Sequence, residues 1–118
     1  MAGRSQPFSV FEYLYRDAGN YKAWGKFLLL GEVADTDIEE IRGYLDRGEY
    51  FVPDRVGIPP LQGELYQYSG GPTEDDHVFH GFVDLRPATK SEIGTLSLWG
   101  ALETLKERFQ AARSGANR

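Results

Sequence analysis

Both histidines of this 118-residue chain lie within one seven-residue stretch, Glu74-Asp75-Asp76-His77-Val78-Phe79-His80, behind three consecutive acids. With no cysteine present, this stretch holds all the imidazoles, the groups best suited to acid–base or metal chemistry near neutral pH. A mononuclear site needs about three convergent ligands. Asp76, His77 and His80 are the candidates for a small metal-assisted hydrolase or lyase, with Glu74 or Asp75 nearby. Geometry decides between chemistry and structure. On a helix, Asp76, His77 and His80 would share one face. On a strand, residues three apart point to opposite sides, which pairs Asp76 with His80 and Asp75 with His77. The residues from Val78 to Leu85 read as strand, interrupted at Gly81, where a bulge or a close backbone approach is expected. The expectation is therefore a solvated acidic loop leading into a strand with one surface and one partly buried histidine. No metal ion and no cofactor is expected.

The second candidate is aromatic. Phe8 to Tyr15 reads as a strand with Phe11, Tyr13 and Tyr15 on one face and Phe8, Val10 and Leu14 on the other. Gly19 and Asn20 favour a hairpin turn into a second strand, Tyr21 to Leu30. There Tyr21, Ala23, Phe27 and Leu29 share a face, opposite Lys22, Trp24, Lys26, Leu28 and Leu30. Tyr13, Tyr15, Tyr21 and Trp24 are the candidate binding residues, since stacked aromatics beside lysines suit a ligand or a single-stranded nucleic acid. Both strands are apolar on both sides, which calls for helices or a partner over part of the second face.

The remaining elements follow from periodicity and capping. Asp35 or Thr36 caps a first helix through Ile38, Ile41 and Leu45, ending at Gly48 after Arg47. Glu49 to Val52 is a short strand or extended run stopped by Pro53, and Leu65 to Tyr68 is a candidate for another short strand. Pro53 to Leu61 holds three prolines and is extended or looped, either displaying Val56, Ile58 and Leu61 or folding them back on the core. Leu98, Leu102, Leu105, Phe109 and Ala112, widened by Trp99, form the stripe of a closing helix. The expected architecture is α+β in the order β-β-α-β-(β)-β-α. It is an antiparallel sheet that starts with an N-terminal β-hairpin, with two main helices packed on it. One domain over 1–118 is expected, folded over about 7–113 with frayed termini.

Seven Phe, seven Tyr and two Trp supply enough burial to make disorder of the body unexpected. The net charge of −5 is uneven: Gly31 to Glu92 carries 14 acids against 5 bases, and the remainder 4 acids against 8 bases. An acidic middle argues against nucleic acid, whose affinity comes from neutralised phosphates. The longest apolar run, Phe27 to Leu30, is too short to span a bilayer, and no leader-like apolar region opens the chain. A cytoplasmic protein without membrane contact is expected. The acid-rich helix start matches no calcium loop, and neither a phosphate-binding loop nor a Gly-x-Ser-x-Gly elbow occurs.

Two strings, Tyr15–Gly25 (YRDAGNYKAWG) and Tyr44–Leu61 (YLDRGEYFVPDRVGIPPL), are similar to segments of small uncharacterised bacterial proteins of about this length. The resemblance covers roughly a quarter of the chain. It implies a bacterial source but no activity, and it assigns no residue a role. The functional expectation is a non-enzymatic binding or protein-interaction module whose partner is another protein or a second copy in a homodimer.

Overall fold

The computed structural model describes residues 7–16, 22–61 and 79–115. Its centre is the hairpin expected from the aromatic runs. Strand β1 (Phe8–Arg16) pairs antiparallel with β2 (Lys22–Leu30) in an unbroken register from Phe8 opposite Leu30 to Arg16 opposite Lys22. On the other side of β1 lies β4 (His80–Pro87), also antiparallel. The register slips between Glu12 and Tyr13, leaving Val83 as the extra residue of β4, so the break expected at Gly81 falls two residues later. Strand β3 (Tyr50–Phe51) extends the sheet beyond β4.

The sheet is mixed rather than purely antiparallel, which corrects the expected arrangement. Leu98–Ala101 forms β5, parallel to β2, giving the order β3-β4-β1-β2-β5. Sequence periodicity had placed Leu98 and Trp99 on the closing helix. In the structure Trp99 stacks on Phe27 with ring centroids 5.7 Å apart, and Leu28 N–H donates to the Ser97 carbonyl at 2.8 Å. Ladder pairing and ring stacking outweigh a helical start that would carry Gly100 in its first turns, at a cost of roughly 1 kcal/mol.

Four helical segments are present among the described residues: α1 (Asp35–Tyr44), α2 (Pro53–Val56), α3 (Lys90–Thr95) and α4 (Leu102–Gly115). The cap of α1 is Ala34, not Asp35 or Thr36; the Asp37 carboxylate accepts the Ala34 N–H at 2.8 Å. The helix stops at Tyr44, earlier than expected. Arg47 and Gly48 both take positive φ, 57° and 72°, in a tight turn closed by Glu49 N–H to the Asp46 carbonyl. That turn leads directly into β3 and leaves no room for another helical turn.

Helices α1 and α4 cover one face of the sheet. Phe11 lies at the middle of this core, its ring 5.4–5.9 Å from those of Tyr13, Phe27, Phe51, Phe82 and Phe109. Ile41, Leu45, Leu102 and Leu105 close over it. Gly25 lies opposite Tyr13 on this face, and a methyl group there would approach the Tyr13 ring to 2.8 Å. The glycine is the space into which that ring fits.

The second face is covered in part by α3, which sequence reading left out. Thr89 and Glu92 form its capping box, the Glu92 N–H donating to Thr89 Oγ1 and the Thr89 N–H to Glu92 Oε1. Glu92 then accepts a two-pronged bond from Arg86, at 2.8 and 2.7 Å, and a longer one from Lys26. Arg86 also reaches Glu12 and Asp84. Positions of β2 and β4 on this face therefore meet a helix through ions, and Val10 and Leu28 on the same face are buried, in keeping with the two-sided apolar pattern.

Candidate functional site

His80 is the anchor from which the candidate residues are placed. It begins β4, points into the core and has no exposed surface. Its Nε2 accepts the Leu61 N–H at 3.0 Å, and its ring lies 4.9 Å from that of Tyr15 and 6.1 Å from those of Tyr13 and Phe51. An accepting Nε2 fixes the imidazole as neutral, with its proton on Nδ1. The expected partly buried histidine is thus fully buried, and the nitrogen most often given to a metal is occupied by a backbone amide. Glu74, Asp75, Asp76 and His77 lie outside the described residues. No group of three potential metal ligands occurs among the described ones.

Tyr13 complements His80. Its hydroxyl donates to the Pro59 carbonyl at 2.7 Å, so the two side chains hold both ends of the Pro59–Leu61 segment on the sheet. The proline-rich stretch is accordingly not a displayed loop. Pro53–Val56 coils into one helical turn, Trp99 Nε1–H donates to the Gly57 carbonyl, and Val56, Ile58 and Leu61 are buried.

The four candidate binding aromatics are separated. Tyr13 and Tyr15 are core residues, whereas Trp24 is 56% exposed on the opposite face between Lys22 and Lys26. Strand alternation explains the split, since Trp24 pairs with Leu14 and Tyr15 with Ala23. These three residues do not form one platform, and Tyr21 lies outside the described residues.

A concave feature among the described residues lies elsewhere, at the β3 edge. A cleft of about 270 Å³ is formed where α2, α4 and β3 meet the turn after α1. Phe51 and Phe109 pack edge to face in its wall, 5.4 Å apart and at 83°. Tyr50 and Phe79, 40% and 43% exposed, line it and also two adjoining depressions. The polar contributors are Tyr44, Asp46, Arg55 and Arg113. Tyr44 donates its hydroxyl to Glu40 at 3.0 Å, and that bond raises its pKa above the ordinary phenol value. Arg113 donates to the Leu45 carbonyl at 3.4 Å.

Sequence reading missed this site because its members come from five separate segments. One signal was available: Phe109, Ala112 and Arg113 share a helix face by their three- and four-residue spacing. The strongest electrostatic perturbations lie away from the cleft. Glu92 is held well below the usual carboxylate range by Arg86, and Asp37 is lowered by the Lys106 ammonium bonded to it at 2.7 Å. Both serve to fasten helices. No family model, curated protein or solved structure matched the chain. Among the described residues no helix is long and apolar enough to cross a membrane.

Proposed function

We propose that the chain is a non-enzymatic binding module and that its site is the cleft at the β3 edge. The observation that carries this reading is the convergence of exposed aromatics with a concave surface. Tyr50 and Phe79 are exposed where most large aromatics of the described fold are buried, and both line the same depression. Exposed aromatic surface beside a cavity is where binding energy is concentrated, because burying it on a ligand regains area that folding left in water. Among the described residues, the four groups with perturbed charges outside the cleft, Arg86, Glu92, Asp37 and Lys106, sit in ion pairs that join helices to the sheet or to each other. They have a structural use that needs no catalytic one.

An NMR fragment screen on the uniformly labelled chain tests this reading. Shift changes from hits should cluster on Tyr44, Tyr50, Val52 and Ala112. Hits that scatter over the surface, or gather on another face, would remove the cleft from consideration.

A second contact surface is favoured by Trp24 and by Leu98, which is 54% exposed. For self-association or a protein partner, a large apolar side chain on the part of the sheet that α3 leaves open is the natural anchor. Sedimentation velocity of the wild-type chain and of Trp24→Glu decides the matter for self-association. A concentration-dependent wild-type boundary that Trp24→Glu abolishes supports a homodimer, and a wild-type monomer at all concentrations ends that part of the reading.

A further inference from the structure

We infer that the occupant of the cleft is a small aromatic carboxylate, bound with its ring against the exposed Tyr50 and Phe79 and its carboxylate on Arg55 and Arg113. The inference rests on the reading of the cleft as a binding site and adds the chemistry of the ligand.

Charge is the first argument. The chain has 18 acids and 13 bases, so an arginine beside a depression in this protein has an excess of carboxylates to choose from. The ion pairs of the described residues instead use Lys26, Arg86 and Lys106. Arg55 and Arg113 enter none of them, although both line this cleft and Asp46 lines it too. Arg113 spends one N–H on the Leu45 carbonyl, which orients the side chain and leaves most of its five donors for a ligand. With one acid and two guanidinium groups, the lining carries a net positive charge inside an acidic chain. Planar guanidinium groups match a carboxylate in two-pronged geometry better than any other anion-binding side chain.

Size is the second argument. About 270 Å³ falls just below the roughly 300–1,000 Å³ of sites for drug-sized ligands. That space suits one ring and a short acidic tail. Tyr50 and Phe79 supply the matching apolar surface, and the edge-to-face Phe51–Phe109 pair in the wall is buried and anchored in the core, so the pocket is formed before the ligand arrives.

The test is an NMR titration of the full chain with 3-phenylpropionate, its neutral amide 3-phenylpropanamide, and acetate. The carboxylate should bind saturably, with shifts at Phe51, Val56, Phe109 and Ala112. The amide, lacking the charge, and acetate, lacking the ring, should each bind about tenfold or more weakly. Arg55→Gln and Arg113→Gln should each weaken 3-phenylpropionate about tenfold while the thermal midpoint stays within a degree or two of wild type. Equal affinity for acid and amide would overturn the carboxylate assignment and leave the cleft as a binding site. Absence of any shift at the cleft with all three probes, while fragment hits still map there, would overturn the aromatic-acid class alone. Failure of the fragment screen as well would remove the site itself. A peptide ending in a free phenylalanine carboxylate that binds far better than 3-phenylpropionate would also overturn the small-molecule assignment, in favour of a protein C-terminus.

Discussion

Replacing His80 by Phe is the sharpest probe of how this fold is held together. The substitution keeps a planar ring among Tyr13, Tyr15 and Phe51, so the cavity contribution that dominates most core truncations is small. What it removes is the acceptor of the Leu61 N–H. That amide is buried and would be left without its protein partner, at a cost of about 1–3 kcal/mol. For a domain between the 100- and 150-residue benchmarks, 1 kcal/mol moves the thermal midpoint by roughly 3–5 °C, so a fall of about 3–15 °C is expected. Urea titration should show a lower midpoint with an unchanged slope, because the surface exposed on unfolding stays the same. Hydrogen exchange adds a local readout. The Leu61 amide should lose protection by more than the global change explains, while amides of β1 and β2 should follow the global value. An unchanged midpoint with an unchanged Leu61 exchange rate would refute the claim that His80 serves as a structural acceptor, and would reopen it as a chemical group.

Other expectations are simpler. Gly25→Ala places a methyl group 2.8 Å from the Tyr13 ring and 3.0 Å from Leu61, and should destabilise by about 1–3 kcal/mol in chemical denaturation. Gly94→Ala, where nothing lies within 4 Å, is the matched control and should not lower stability. Acidification should cost stability through Glu92 and Asp37. Their pKa values are lowered in the folded chain, so their contribution is fully present above the unfolded values near 4 and is lost as pH falls through the lower folded ones. Glu92→Gln should lower stability at pH 7 and flatten the acid limb of a midpoint-versus-pH curve. An acid limb identical to wild type would refute the Arg86–Glu92 assignment.

Much of the frame was readable from sequence because it is encoded locally. The hairpin follows from alternating aromatics in Phe8–Tyr15 and Lys22–Leu30, and α4 from Leu102, Leu105 and Phe109 at helical spacing. The short strand before Pro53 was likewise visible. Errors arose where a tertiary partner outweighs local preference. Leu98 and Trp99 continue the helical stripe arithmetically, yet β2 and Phe27 draw them into a parallel edge strand. Helix α3 was missed although Thr89-Lys90-Ser91-Glu92 is a capping-box pattern, because Ile93 is its one large apolar residue. The candidate sites fared differently. Alternation alone separates Trp24 from Tyr13 and Tyr15, so their separation was implicit in the strand reading. The cleft was not, since Arg55 and Tyr50 meet Arg113 only through the packing of α2 and β3 on α4.

The parallel pairing of β5 has a consequence for how the chain acquires its structure. Strands β1 and β2 are joined by a short connection and can zip within microseconds. Leu98 must find Leu28 across about seventy residues, and the part of the roof over Phe11 that α4 supplies, from Leu102 onward, follows it. Lengthening such a closure adds little to the equilibrium cost, roughly 0.6 kcal/mol per doubling, but it delays assembly. During synthesis, the aromatic face of the hairpin therefore has only the cover that α1 and β3 can give it until α4 has left the ribosome. In that interval the nascent chain presents the surface that chaperones recognise, and the rate at which α4 docks sets how long that exposure lasts.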